Sequence, residues 1–426
     1  MSDEPNFFKD RSLYDDPYPY YEDLRAQCPV HREPHRGVYM ITGHAEALAV
    51  YNDSKRFSSC NAVAGPFAKF PVPLVGDDIS PIIDQYRDEL PFSDQLPTFD
   101  PPKHTAHRAL LMRLITPKRL RENEAFMWRL ADREIDKFHD RGSVEFIHEY
   151  ATSFTLLVIA DLLGVPEADH EVFRKNYIGI GEGGGGAISH KPLEFLYDLF
   201  TEYIEDRRRQ PRDDVMTGMA TATFPDGSTP DAYDVALIAG NLFAAGQETT
   251  VRLFSSAMII LAEDVELQQR LRDDRSLIAN FIEETLRLES PIQSDFRLSK
   301  VPTNIGGVAI PAGSTVMLLN GAANRDIRVF DDPASFDVGR TNARHHVAFG
   351  QGIHTCAGAP LARSEARVSL ERLLDRLGDI RIAEAEHGPP GARRFEYLPT
   401  YMLRGVQRLH LEFEPLDAPA RLEASR

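Results

Sequence analysis

Cys356 stands among glycines in the run Phe349-Gly350-Gln351-Gly352-Ile353-His354-Thr355-Cys356-Ala357-Gly358, which continues into Ala359-Pro360-Leu361-Ala362-Arg363. Glycines on both sides of a cysteine let a loop turn tightly and approach a flat partner closely. Pro360 falls where the first turn of a helix tolerates proline. The spacing of Leu361, Val368, Leu370, Leu373 and Leu374 predicts a helix over 359–377. The cysteine therefore precedes a helix N-terminus, a place that favours an anion by about 0.3–1 kcal/mol. A thiolate held there is suited to ligate a metal, whereas a thiol buried in the turn would be inert. A structural zinc site built on His354 and Cys356 is disfavoured, because neither a C-x-x-C nor an H-x-x-x-H pair accompanies them.

Other stretches carry groups able to do chemistry. Ala245-Gly246-Gln247-Glu248-Thr249-Thr250 sets a carboxylate beside two alcohols inside a long helical pattern. Glycine costs about 1 kcal/mol against alanine in a helix, and threonine can bond back to the preceding turn and bend it. A core helix with a tolerated glycine is the plainer reading. Glu284 and Arg287 share a helix face, a pairing worth a few tenths of a kcal/mol when solvated. His104 and Arg108 lie one turn apart in Asp100-Pro101-Pro102-Lys103-His104-Thr105-Ala106-His107-Arg108, on a face that is either solvated or ligand-binding. Gly179 to Gly184 formally contains G-x-G-x-x-G. A dinucleotide turn needs a strand before it, and the helical-looking His170–Tyr177 precedes it instead. A helix–helix connector is the better reading.

Every fixed position of F-G-x-G-x-H-x-C-x-G is filled, and the stretch resembles the haem-binding loop of the cytochrome P-450 monooxygenases. The resemblance implies that Cys356 is the axial ligand of the haem iron, a thiolate that favours O–O cleavage. It implies that Ala245, Gly246, Phe349, Gly350 and Gly358 lie against the cofactor, and that His104, Arg108, Arg297 and His354 meet its propionates, for which N–H donors are suited. It makes Glu248 and Thr249 the acid–alcohol pair that directs protons to dioxygen, with Glu where Asp is often found. Glu284 and Arg287 match the E-x-x-R helix. Arg340, in Phe336-Asp337-Val338-Gly339-Arg340, matches the arginine completing that structural network. No C-x-x-C-H is present, so non-covalent haem b is implied rather than a c-type haem.

The elements that must position these residues are mostly helical. Helices are predicted at about 20–26, 45–51, between 104 and 178, and at 193–209, 231–262, 265–273 and 276–289. Strands are predicted at 37–42 and 403–413, with a hairpin over 306–319. Length alone suggests two or three domains. The resemblance implies one, over 1–426: mainly α with a small β region, an irregular segment at about 1–15 and pocket loops at 60–100 and 179–192. The composition, 42% hydrophobic and 27% charged, is that of a globular chain. A net charge of −17 argues against nucleic-acid binding. Three cysteines, an odd number, and no long apolar run fit a soluble chain in a reducing cytoplasm.

The implied function is a monooxygenase that inserts oxygen from O2, with electrons from a separate ferredoxin and its reductase. A peroxide-driven peroxygenase of the same fold and a haem-thiolate binding protein without turnover are the alternatives. Arg113, Lys118, Arg119 and Arg344 are expected on the docking face. Asn241, Phe67, Phe70, Phe92, Ile292 and Tyr401 are expected in the substrate pocket, which leans apolar and suits a terpenoid, aromatic or steroid-like molecule. Asn241 offers the hydrogen bond.

Overall fold

A computed structural model of the chain describes residues 5–171 and 191–417. The 32-residue helix Ala232–Glu263, about 48 Å long at 1.5 Å per residue, is buried along most of its length. Around it pack Lys191–Arg209, Thr152–Leu163, Leu277–Glu289 and Ala359–Arg376. A Cβ on Gly240 would sit 2.7 Å from the Tyr197 ring, so this glycine is what lets Lys191–Arg209 approach. Helix Pro117–Asp136 starts where Thr116 accepts from the Arg119 N–H at 3.3 Å, with proline in the first turn.

The β region is small and lies to one side. Its main sheet runs in the order Val30–Arg32, Tyr39–Ile41, Thr315–Leu319, Ser294–Ser299, Phe57–Ser58. Only the Tyr39–Ile41/Thr315–Leu319 pairing is parallel. The hairpin expected over 306–319 does not form as one unit. Gly306 and Gly307, at φ 57° and 84°, fold Val308–Ile310 back onto Thr303–Ile305. Pro311 and the left-handed Gly313 then send the chain into the main sheet.

Two other expectations change. The helices after His104 are interrupted by the strand Ser143–Glu145, which follows the left-handed Gly142 and pairs with His410–Pro415. The strand expected over 403–413 starts only at His410, while Leu403 and Val406 make isolated bridges to Ile292 and Tyr397. The pocket loop at 60–100 is not wholly irregular, since it contains helix Ser80–Tyr86. Residues 179–190, with the glycine run, lie outside the described residues. Among the described residues no helix is long and apolar enough to cross a membrane.

Candidate functional site

The loop at Cys356 is set by glycine and by two neighbours. Gly350 and Gly352 sit at φ 63° and 70°, and a Cβ on Gly352 would fall 2.4 Å from the Tyr51 carbonyl oxygen. The Cys356 N–H closes the loop onto the Phe349 carbonyl at 2.8 Å. Arg363, in the helix behind, lies 4.6 Å over the Phe349 ring. Its Nε and Nη2 donate to the two oxygens of Glu283 at 2.6 and 2.9 Å. His346 Nδ1 accepts from the Ala348 N–H, so Nε2 carries the proton that it donates to Glu283 at 3.1 Å. Burial alone would raise the Glu283 carboxyl, but His346 and Arg363 together hold it down to about 2. This clamp ties the loop to helix Leu277–Glu289.

The Cys356 side chain is exposed, and the N–H groups of Gly358 and Ala359 and the Arg108 charge all favour its thiolate. A metal ion bound at the sulfur would complete its deprotonation.

Beside the cysteine, four basic side chains converge. The His104 and His354 rings are 4.1 Å apart, and both Nε2 atoms are buried without a hydrogen-bond partner among the described residues. Such a group costs about 1–3 kcal/mol if left unpaired. Burial, Arg297, His104 and Arg108 push His354 down to about 2; burial and Arg108 push His104 down to about 4. Arg108 donates to the Thr355 carbonyl at 2.5 Å. Arg297 lies 5.5 Å over the Tyr51 ring and donates to the Phe296 carbonyl at 2.6 Å. The neighbouring acid, Asp100, is already bonded by Ser58, Ser59 and Arg87. Unspent N–H capacity next to a cysteine in a glycine loop fits a flat group with a metal and two carboxylates, which is what haem presents.

On the central helix, Thr249 Oγ1 donates to the Ala245 carbonyl at 2.8 Å, the backward bond its position allows. Ala245 is exposed, and a Cβ on Gly246 would meet Ile159 at 3.4 Å. Glu248 is not free, since Arg252 Nε donates to its Oε1 at 2.8 Å and Nη2 donates to the same atom. Thr250 turns elsewhere, donating to the buried Glu365 at 3.3 Å.

The structure brings Glu284, Arg287 and Arg340 together as one buried network. Glu284 Oε1 accepts from Arg287 and Arg340, both at 2.8 Å, and Oε2 accepts from Arg287 at 2.7 Å. The remaining guanidinium N–H groups reach the carbonyls of Asn324, Asp331, Asp332, Pro333 and Ser335.

The six expected pocket residues fall into separate clusters. Asn241 lines a cavity of about 210 Å³ whose wall is both apolar (Leu96, Phe99, Leu237, Ile238) and polar (Asp94, Lys103, His107, Asp234), and its Oδ1 accepts from the Tyr197 hydroxyl at 2.9 Å. Phe67 is 45% exposed, under Arg36 and edge-on to Phe8, which in turn meets Tyr401. Phe70 packs with Cys60, Ile79 and Leu298. Phe92 is buried at φ 62°, its carbonyl bonded by Thr98. Ile292 bridges Leu403. Long-range aromatic packing decided the positions of Phe67 and Tyr401, and no local spacing signals it. Of the expected docking cations, Arg113 and Arg119 are engaged by the carbonyls of Thr223 and Leu162. Lys118 and Arg344 are exposed and only loosely paired, with Glu122 and Glu283.

Comparison with known proteins identifies the family. The family model for cytochrome P450 matches residues 187–378. The Mycobacterium tuberculosis protein Cytochrome P450 144 is 32% identical, over 96% of this chain and 92% of its own length. The structure of Mycobacterium marinum cytochrome P450 CYP150A6 in the substrate-free form is 53% identical, with a TM-score of 0.92, covering 97% of this chain and 99% of that one. CYP109E1 from Bacillus megaterium, solved in complex with corticosterone, is 26% identical with a TM-score of 0.80, covering 95% and 100%. With a thiol loop, a basic cluster suited to carboxylates and near full-length similarity, the chain belongs to the cytochrome P450 family of haem-dependent monooxygenases.

Proposed function

We propose that this chain binds haem b and oxygenates a small to medium hydrophobic substrate, such as a terpenoid, aromatic or steroid-like molecule. Residues 1–426 form its single catalytic domain, and its electrons come from a separate ferredoxin and reductase in the cytoplasm. The observation that carries the cofactor assignment is the pair of buried, unpartnered Nε2 atoms of His104 and His354 beside Cys356.

Cys356 would hold the iron, and His104, Arg108, Arg297 and His354 would hold the propionates. Bound haem supplies dioxygen activation and oxygen-atom transfer. The chain supplies the rest. Thr249 and Glu248 deliver protons, the alcohol at Oγ1 and the acid at its carboxylate. Leu96, Phe99, Leu237 and Ile238 exclude water and hold apolar substrate, while the Asn241 amide, steadied by Tyr197, meets any oxygen it carries. The steroid held by CYP109E1 is of this class. Lys118 and Arg344 are the exposed cations for the electron donor.

A screen of terpenoids, aromatics, steroids and fatty acids, read by the spin-state shift of the ferric haem, identifies the substrate class. Thr249→Ala should then keep consuming oxygen while most electrons leave as hydrogen peroxide. Unchanged product per electron would remove Thr249 from proton delivery.

A further inference from the structure

Arg252 sits one helical turn beyond Glu248, and its guanidinium is almost fully buried while the Glu248 side chain is 25% exposed. Two of its N–H groups, Nε and Nη2, converge on the single oxygen Oε1. A third, Nη1, donates to the Val406 carbonyl at 2.7 Å. Oε2 accepts no hydrogen bond from any described residue. The side chain also lies flat against Gly405, where an added Cβ would come within 2.4 Å of Arg252 Cδ. Val406 bridges Tyr397, so Arg252 is anchored in the C-terminal segment that also carries Tyr401 and Leu403.

A solvent-facing glutamate samples several rotamers, and a proton relay works only from the few that aim at its acceptor. Gripping one oxygen from two directions removes that freedom without occupying the other oxygen. Lysine could supply charge, but not two converging donors and a third bond to a carbonyl.

We propose that Arg252 is a positioning residue for proton delivery: it fixes Glu248 through Oε1 so that Oε2 is the atom that takes a proton from solvent water and releases it toward Thr249, returning to carboxylate. Arg252 thereby links the proton-delivering acid to the 397–406 segment. This rests on the reading of Glu248 as that acid.

The test uses the haem-loaded protein. The infrared carboxylate band of Glu248, obtained by subtracting Glu248→Gln from ¹³C-glutamate-labelled protein, should shift and broaden in Arg252→Met. Product per electron should fall at least threefold in that variant, using the compound with the largest spin-state shift in the screen above, while its dissociation constant stays within twofold. Arg252→Lys should recover part of the lost yield. Gly405→Ala, which displaces Arg252 without deleting it, should reproduce the defect and decides the matter if Arg252→Met does not fold. A wild-type band and yield in these variants, with Glu248→Gln uncoupled, overturns the role of Arg252 and leaves Glu248 in place. A wild-type yield in Glu248→Gln overturns the reading of Glu248, and the role of Arg252 with it.

Discussion

Two buried polar clusters make opposite use of charge. Around Glu284, both carboxylate oxygens meet arginines and the arginines' remaining N–H groups meet five backbone carbonyls. Around His104 and His354, the Arg108 and Arg297 cations face two neutral imidazoles whose Nε2 atoms have no partner among the described residues. The first cluster is complete within the protein and needs nothing more; its role is to join helix Leu277–Glu289 to the 324–340 segment. The second is complete only with an anion. Burial is common to both, so what separates scaffold from binding site here is whether donors and acceptors balance.

The largest way to break this contrast is at the balanced cluster. Arg287→Ala leaves the Glu284 carboxylate short of its main partner, with both side chains fully buried. Removing one member of a buried pair costs about 3–5 kcal/mol. The expected outcome is a protein that does not accumulate as a folded haem species, seen as loss of the ferrous–CO Soret band with insoluble chain. A soluble, haem-loaded Arg287→Ala protein of normal urea midpoint would make this network dispensable.

At the unbalanced cluster the same kind of deletion should run the other way. His354→Leu removes a buried Nε2 that no described residue satisfies, together with the ring's bond to the Phe99 backbone, so the urea midpoint of the haem-free protein should hold or rise only slightly. Haem should meanwhile be lost to a scavenger several-fold faster than from the parent. If His354→Leu destabilises the haem-free chain as strongly as Arg287→Ala, the two clusters are not different in kind.

How far the sequence shows this division depends on the range of each constraint. The glycines around Cys356, the Glu284/Arg287 pair and the Glu248/Thr249 pair lie within a few residues, where spacing carries the geometry. Arg252 was also within reach, as an i,i+4 partner of Glu248. The Glu283–His346–Arg363 clamp joins positions about 63 and 80 residues apart, and nothing in local spacing marks it beyond an acid beside Glu284 and an arginine in Leu-Ala-Arg. The scatter of the expected pocket residues has the same cause. Phe67 and Tyr401 belong to an aromatic cluster with Phe7, Phe8 and Phe296 that only the folded chain assembles. Fold class needs helix content and motif order alone, so it was legible; strand pairing over 306–319 was not, because glycine turns rather than apolar pattern chose the partners.

Glu365 is an acid that belongs to neither cluster, and it sharpens the contrast by the smallest effect. It is buried against the central helix with Thr250 as its hydrogen-bond partner, and burial raises its carboxyl well above the usual 4.5. The folded chain therefore keeps a proton that the unfolded chain releases once pH passes about 4.5. Stability tied to this group is full below that value and is lost as pH rises toward the folded value, by at most about 1.4 kcal/mol per pH unit. Glu365→Gln keeps the shape and the contact with Thr250 but cannot ionise. Its urea midpoint should match the parent at pH 4 to 5 and exceed it progressively toward pH 8. Parallel curves for the two proteins would mean that Glu365 is ionised in the folded state, and that its charge is balanced after all.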